Sequence, residues 1–448
     1  MQDYFSFTEK LFNLSKIGEK PEVLKGIRVL DLSHVILGPN SVKLLAQFGA
    51  EVIKVETPHY GDMWRHAAYW GRFWKGANPS FLFINENKYF VTIDLKLPRG
   101  KELVHKLAEK SDVVVENFAA GTAEAWGVGY TKLSKINPKI IYLSLSTYGQ
   151  FGPMRFYPGW DALAQSASGA VTLSGYPGTD KYYKLPDYLG DFGPAALGAV
   201  CVLVALYHRQ KTGKGQYIDL SQSETLMRIL PNYTYSSITG EELERSGNVD
   251  PAMAPSGIFK ARDGKFIALA IATDEQFGAL CQAMNRGELA QEERFKQTFE
   301  RLKPQNAEEL DKIVEEWISS DDAERIISLA NERGFPAAEV MEDLQISNDE
   351  WRRRRGSVIL FNDEMYGEFA TAGAPTMLSK SPGRVKWLAR PLGYHNRYVF
   401  KKLLDLSEEE IKKLEKEKVI GYWDERVGAN PPVYYDIEKD PIFNYQEE

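Results

Sequence analysis

The chain has 448 residues, of which 43% are hydrophobic and 26% charged, a composition typical of a folded globular protein. This length predicts two domains. The net charge of −7 argues against a nucleic-acid surface, since the one basic block, Arg352 to Arg355, looks like a helix end with local ion pairs.

Neither a metal nor a membrane is expected as a partner. Cys201 and Cys281 cannot build a disulfide framework or a thiolate metal site, which predicts a protein of the reducing cytoplasm. The histidines show no metal-ligand spacing. The N-terminus lacks the regions of a signal peptide, and the apolar run from Ala195 to Tyr207 is too short to cross a bilayer.

Residues 26–150 alternate short β-branched runs with helical patterns, which is typical of βαβ units. Strands are predicted at residues 27–32, 51–56, 90–95, 112–116 and 140–145, and helices at 41–48 and 100–110. We therefore expect a parallel sheet that binds a ligand past the C-terminal ends of its strands. No Gly-x-Gly-x-x-Gly follows the first strand and no P-loop occurs, so the ligand is not a dinucleotide held by that fingerprint.

The segment from Gly190 to Pro194 presents a lone carboxylate, Asp191, between two glycines and before the apolar run. Glycine permits close approach of a bulky substrate and backbone angles that other residues avoid. Pro194 suits the first position of a helix, so Asp191 is expected beside a helix N-terminus and ionised there. Free N–H groups at this place could bind an oxyanion, although helix capping is the simpler role for aspartate.

The second half of the chain predicts a smaller domain and a return to the first. Asp263-Gly264 between two alternating runs indicates a β-hairpin, and helical patterns follow it. The predicted organisation comprises a large domain at 1–230, a linker at 231–256, a small domain at 257–340, a linker and return at 341–385, and a C-terminal segment at 386–448 that completes the large domain.

A series of segments along the chain resembles the family III CoA-transferases, over about residues 24–420. They are Gly26 to Pro39, Gly49 to Glu56, Gly61-Asp62, Asp94 to Lys96, Asp112 to Phe118, Gly149 to Pro153, Ala164-Gln165, Gly190-Asp191 and Lys211 to Gln216. The resemblance implies an α/β fold with a Rossmann-like large domain and a smaller α+β domain. It also implies an interlocked dimer, either a homodimer or a heterodimer with a paralogue.

The resemblance further implies the chemistry and its residues. Asp191, flanked by Gly190 and Gly193, matches the nucleophile that forms an anhydride with an acyl-CoA donor and then an aspartyl-CoA thioester. Coenzyme A is the implied co-substrate. The positions that match its binding residues are Val35, Ile36, Lys96, Asn117 and Phe118, each of which has a purely structural alternative. Oxyanion donors are expected at Gly190 to Gly193 or at Pro255-Ser256-Gly257.

The chain departs from the family pattern at several positions. Ala125 and Thr57 stand where basic residues often contact phosphate, so those contacts are expected at Lys96, Arg65 or Arg72. Gly393-Tyr394-His395 replaces a Gly-Glu-His segment and removes a carboxylate.

Two other functions are alternatives to CoA transfer. An α-methylacyl-CoA racemase would need a histidine where this chain has Trp160, and tryptophan cannot shuttle a proton at neutral pH. A non-catalytic subunit of a heteromeric transferase is the second alternative. Succinyl-CoA is a plausible donor, and aromatic residues at Trp64 to Trp74 and at Trp160 favour an aromatic or aryl-substituted dicarboxylic acceptor, unless they build an interface.

Overall fold

The computed structural model describes residues 2–230, 232–374, 377–424 and 426–445. It divides into two compact units. The large unit comprises Met1–Ala170, Leu185–Tyr233 and Asp349–Glu448, and the small unit comprises Val171–Lys184 and Thr234–Asn348.

A six-stranded parallel sheet forms the centre of the large unit, as the sequence predicted. Its strands are β1 Arg28–Asp31, β2 Glu51–Glu56, β3 Lys88–Thr92, β4 Val113–Glu116, β5 Ile141–Ser146 and β6 Gln216–Ser221. Their order is β3-β2-β1-β4-β5-β6, and every pair is parallel. The Val- and Ile-rich strands suit a sheet that is buried on both faces. The order reverses between β1 and β4, where α/β sheets commonly bind ligands.

Helices cover both faces of this sheet. In chain order the first ten helices of the protein, of which α10 belongs mostly to the small unit, are α1 Gln2–Leu11, α2 Leu37–Gln47, α3 Pro79–Ile84, α4 Pro98–Glu109, α5 Thr122–Ala125, α6 Tyr130–Ile136, α7 Asp161–Ala167, α8 Leu189–Thr212, α9 Gln222–Ile229 and α10 Asn232–Thr239. Residues of α2 and α8, among them Leu45 and Val202, pack in one core with β1 and β5. Residues of α4 and α6, such as Leu107 and Leu133, belong to the core of the opposite face.

Helix α8 is longer than the apolar run in the sequence suggested. It has 24 residues and is the one helix among the described residues that is long and apolar enough to cross a bilayer. The expectation that this run is too short to cross a bilayer was therefore wrong about its length. Half of its most apolar stretch is buried, as in the core helix of a globular protein.

The small unit combines an antiparallel sheet with helices. Its elements are β7 Ser256–Lys260, β8 Phe266–Ala270, α11 Asp274–Ala283, α12 Thr298–Arg301, α13 Pro304–Ser319, α14 Ala323–Arg333, β9 Ala337–Glu339 and α15 Asp343–Asn348. Strands β7 and β8 form the hairpin predicted at Asp263-Gly264, and Gly264 has the positive φ of +86° that its turn requires. The expected linker at 231–256 is not wholly irregular, since α10 occupies part of it, and residue 231 lies outside the described residues.

From residue 349 the chain belongs to the large unit again. It forms α16 Glu350–Arg355, β10 Val358–Asp363, β11 Gly367–Ala372, α17 Asn396–Lys402 and α18 Glu408–Lys416. The expected linker at 341–385 thus contains the β10-β11 hairpin, although residues 375–376 lie outside the described part. Phe400 of α17 and Ile411 of α18 pack in the core beside α4.

The C-terminal tail is anchored to the core of the large unit. Tyr394 and Tyr435 both donate hydrogen bonds to Oδ2 of Asp440, at 2.5 and 2.6 Å. Phe443 packs against the cluster that contains the buried ring of Tyr394. The side chain that replaces the expected glutamate is therefore paired with a carboxylate from the tail, whose last residues, 446–448, are not described.

Candidate active site

A cavity of about 350 Å³ opens at the C-terminal edge of the sheet, beside the point where the strand order reverses. It is formed by the segments that follow β1, β4 and β5 and by the first residues of α8 and α9. Its lining consists of His34, Val35, Ile36, Leu37, Asn117, Phe118, Ala119, Ala120, Thr122, Leu145, Ser146, Thr147, Tyr148, Arg155, Tyr157, Pro158, Gly159, Trp160, Asp191 and Gln222. Five of the residues predicted from the sequence thus meet at one cavity: Val35, Ile36, Asn117, Phe118 and Asp191.

Asn117 joins the loops that follow β1 and β4. Its Oδ1 accepts a hydrogen bond from the His34 backbone N–H, and its Nδ2 donates to the His34 carbonyl oxygen, both at 2.8 Å. The His34 ring also stacks on Phe118, with ring centroids 5.5 Å apart. Burial lowers the pKa of His34, so this ring is neutral at neutral pH. Asn117 therefore positions the cavity wall in addition to lining it.

Val35 has an unusual backbone conformation. Its φ of +67° lies in the left-handed region, which is strained for a β-branched residue by about 1–2 kcal/mol. Both carboxylate oxygens of Asp62 accept a hydrogen bond from the Val35 N–H, at 3.0 and 3.1 Å. Asp62 is in turn paired with the buried Lys54 at 3.0 Å. The strained loop is thus held by a buried ion pair.

Lys54 remains charged in this environment. Its burial acts to lower its pKa, but the carboxylates of Asp62 and Asp31 raise it overall. An unpaired charge here would carry a desolvation cost of several kcal/mol.

Asp191 lies within the first turn of α8, which corrects the expectation that the helix starts at Pro194. The helix begins at Leu189, and Tyr188 precedes it in the left-handed conformation, with φ +55°. The N–H groups of Asp191 and Phe192 donate to the Tyr188 carbonyl oxygen at 2.8 and 2.9 Å. These two N–H groups are therefore engaged in the helix turn, which corrects the idea that they wait for an oxyanion.

Gln222, the first residue of α9, contacts the Asp191 carboxylate directly. Its Nε2 donates to Asp191 Oδ1 at 2.5 Å and to the Gly190 carbonyl oxygen at 3.2 Å. Its Oε1 accepts a hydrogen bond from the Thr147 hydroxyl at 3.0 Å. The Gly190 carbonyl is free for this contact because Pro194, four residues later, has no N–H to donate.

A second carboxylate, Asp161, lies under the same turn. Gln165 Nε2 donates to both Asp161 oxygens, at 3.0 and 2.9 Å. A Cβ on Gly190 would lie 2.6 Å from Asp161 Oδ1, so only glycine permits this approach. Gly193 is different, because a Cβ there would meet no atom closer than 3.7 Å. Neither glycine has a positive φ, and the left-handed residues are Asp187 and Tyr188 instead.

The pKa of Asp191 is raised to about 7. Burial is the main cause and the charge of Asp161 adds to it, while the hydrogen bond from Gln222 acts in the opposite direction. The expectation that the helix N-terminus keeps this group fully ionised was therefore wrong. Near neutral pH the site holds both the carboxylate and the carboxylic acid.

None of the three predicted phosphate ligands lines the cavity. Lys96 is exposed and does not line the cavity. Arg65 is buried and forms two hydrogen bonds, each of 2.8 Å, with the carboxylate of Glu56. Arg65 is therefore committed to the core, whereas Arg72 is exposed.

The aromatic segment Trp64 to Trp74 does not form the cavity wall. Trp64 is buried against the rings of Tyr69 and Tyr188, and Trp74 packs on Phe369. Trp160, by contrast, lines the cavity and is 54% exposed. Within the described part of the chain, no group of three His, Cys, Asp or Glu side chains is arranged to hold a metal ion.

Sequence reasoning missed Gln222 and the role of Thr147. Both follow strand ends of the sheet, Gln222 after β6 and Thr147 after β5. Reading every strand end as a site position would have selected Gln222, which directly follows β6.

The fold is that of a known class of enzymes. The chain belongs to CoA-transferase family III, whose model matches residues 24–396. It is therefore an enzyme that uses coenzyme A as a co-substrate.

Individual relatives agree with this assignment. The chain is 35% identical over 405 residues to the succinyl-CoA–D-citramalate CoA-transferase of Chloroflexus aurantiacus, covering 89% of this chain and 98% of that one. It is 36% identical over 406 residues to the alpha subunit of a succinyl-CoA–L-malate CoA-transferase from the same organism, with coverage of 90% and 94%. The crystal structure of a CAIB/BAIF family protein from Brucella suis matches with a TM-score of 0.75 and 27% identity, covering 86% of this chain and all of that one.

Proposed function

We propose that this enzyme moves coenzyme A from succinyl-CoA to a second carboxylic acid, with Asp191 as the covalent carrier. The observation that carries this proposal is the Asp191 carboxylate at the cavity wall, hydrogen-bonded through one oxygen to Gln222. A carboxylate nucleophile forms covalent intermediates and so replaces one difficult exchange between the two acids by several easier steps.

The reaction conserves atoms in each step. A carboxylate oxygen of Asp191 attacks the donor thioester and expels the CoA thiolate, which leaves a mixed anhydride. The thiolate attacks Cγ of Asp191 and releases succinate, forming an aspartyl-CoA thioester. The acceptor carboxylate then attacks Cγ and expels the thiolate. Finally the thiolate attacks the acceptor acyl carbon, which frees Asp191 and yields the new acyl-CoA.

The acceptor is proposed to be a dicarboxylic acid. Arg155 is the only arginine or lysine among the described residues that line the cavity, and it suits a second carboxylate. Relatives named for citramalate and malate support this substrate class. Tyr157 and Trp160 also line the cavity. Because aromatic side chains pack well against aromatic rings, this wall favours an aryl-substituted dicarboxylic acid as the acceptor.

Coenzyme A is proposed to lie across the strand ends, against Val35, Ile36, Asn117 and Phe118, with the exposed Lys96 outside the cavity as a phosphate contact. Transfer is favoured over epimerisation because Trp160 is no proton shuttle. An α-methylacyl-CoA incubated in deuterated water should therefore keep its α-proton. Deuterium uptake without acyl transfer would replace the transferase proposal by a racemase.

We also propose that the active form is a dimer, of two copies or with a paralogue. Leu197, Val200, Val204 and Tyr207 form an exposed apolar stripe at helical spacing along α8. A surface of this kind is normally covered by a partner. The relatives named as alpha and beta subunits support the same idea. An active monomer in sedimentation and dilution assays would contradict it.

The decisive experiment assays the chain purified alone with succinyl-CoA and a panel of malate, citramalate, glutarate and an arylsuccinate. We expect an acceptor-CoA ester without ATP, trapping of Asp191 by hydroxylamine during turnover, and a loss of at least about 10⁴-fold in Asp191→Asn. Modification of another carboxylate, or full activity in that variant, would refute the assignment. Activity that requires a second chain would favour the non-catalytic or heteromeric alternative.

A further inference from the structure

The two carboxylate oxygens of Asp191 are not equivalent in this structure. Oδ1 accepts the 2.5 Å hydrogen bond from Gln222 Nε2. Across residues 2–230, 232–374, 377–424 and 426–445, no donor is hydrogen-bonded to Oδ2. One oxygen is therefore held and the other is available to react.

The orientation of the Gln222 amide is determined by its neighbours. Its NH₂ group faces two acceptors, Asp191 Oδ1 and the carbonyl oxygen of Gly190. A flipped amide would direct its oxygen at both of these acceptors. Only in the observed orientation does the amide oxygen face the Thr147 hydroxyl and accept its hydrogen bond. Because the side chain is only 3% exposed, water cannot replace these contacts cheaply.

We propose that Gln222 keeps Oδ1 as the permanent carbonyl oxygen of Asp191 and serves as its oxyanion donor, so that only Oδ2 is exchanged during turnover. This inference rests on the proposed covalent function of Asp191. Thiolate attack on Cγ places negative charge on Oδ1, and collapse breaks the Cγ–Oδ2 bond, so succinate leaves with Oδ2. The acceptor then attacks Cγ and supplies the new Oδ2, while the thiolate leaves. Each attack develops charge at the oxygen that Gln222 already contacts.

Isotope counting tests this asymmetry directly. The wild-type enzyme is incubated for many turnovers with succinyl-CoA and succinate whose carboxylate oxygens are oxygen-18. The mass of the peptide that contains Asp191 is then measured by mass spectrometry. We expect one heavy oxygen and no more, because Oδ1 never leaves. Accumulation of two heavy oxygens in the wild type would overturn the inference, since it requires the carboxylate to rotate between turnovers.

A variant pair separates this role from general stability. Gln222→Leu should lower kcat by about 10²–10³-fold, the usual effect of losing one oxyanion donor, and should accumulate doubly labelled Asp191. Glu224→Gln, an exposed position on the same helix, should behave as the wild type. If Gln222→Leu does not fold, Thr147→Val, which removes the hydroxyl that fixes the amide, should show increased double labelling.

The failure of this inference differs from that of the underlying function. A wild-type peptide without any heavy oxygen, in an enzyme that catalyses transfer, would exclude Asp191 as the carrier. A Gln222→Leu enzyme with normal kcat and a single heavy oxygen would leave the carrier in place and reject only the role of Gln222.

Discussion

The replacement Asp191→Asn should abolish transfer and, at the same time, stabilise the folded enzyme at alkaline pH. The ordinary pKa of an aspartate is 3.8 and burial beside Asp161 raises that of Asp191 to about 7. Between these values the folded state binds more protons than the unfolded state, so wild-type stability falls as the pH rises from about 4 to about 7. Relative to a side chain that stays neutral in both states, this raised pKa lowers the unfolding free energy by about 4 kcal/mol at pH 8 and about 2 kcal/mol at pH 5.

Asparagine avoids this cost because it stays neutral and keeps an oxygen that can accept from Gln222. An unfolding entropy of about 2.1 cal/mol/K per residue converts the difference into a rise in Tm of about 4 °C at pH 8 and about 2 °C at pH 5. Scanning calorimetry of the ligand-free enzyme measures both values. Asp180→Asn, at an exposed position, is the control and should leave Tm unchanged. An Asp191→Asn enzyme no more stable than the wild type at pH 8 would refute the reasoning.

Three further predictions concern the surroundings of this carboxylate. Asp161→Asn removes the charge that raises the Asp191 pKa, so the acidic limb of the kcat/KM profile should move to lower pH by about one unit; an unmoved limb would contradict this. Gly190→Ala places a Cβ 2.6 Å from a carboxylate oxygen and should cost about 1–3 kcal/mol in chemical denaturation, whereas Gly193→Ala should be tolerated. Lys54→Met leaves a buried carboxylate unpaired and should lower the unfolding free energy by about 3–5 kcal/mol; a neutral effect would show that the ion pair is dispensable.

Much of the sheet was predictable because its strands are encoded locally. Runs such as 51–56 and 112–116 are β-branched and apolar, and their alternation with helical patterns determines a parallel arrangement. The positions past the strand ends then follow from topology and include Val35, Asn117 and Phe118, but the resemblance to the CoA-transferases was what selected these three as binding residues. Residues whose role depends on a local pattern were thus within reach of the sequence.

The start of α8 was not predictable by the same rule. Pro194 normally marks the first helical position, but here it lies one and a half turns inside the helix. The extra turn forms because Tyr188 adopts the left-handed conformation and because Gln222, 32 residues further along the chain, takes the carbonyl of Gly190. A contact over that separation leaves no trace in the local sequence. Arg65 was excluded as a phosphate ligand by a shorter-range contact, its buried pairing with Glu56 nine residues earlier in the chain.

The electrostatics of the site explain why a carboxylate with an intermediate pKa is placed there. A more basic carboxylate is a better nucleophile, yet it must be ionised at the working pH, so a pKa near neutrality serves both needs. Burial and Asp161 act on the carboxylate as a whole and raise its basicity. Gln222 opposes this through Oδ1 alone. In the proposed mechanism this arrangement stabilises the charged form through Oδ1, while Oδ2, which accepts no hydrogen bond from the described residues, is the nucleophilic oxygen.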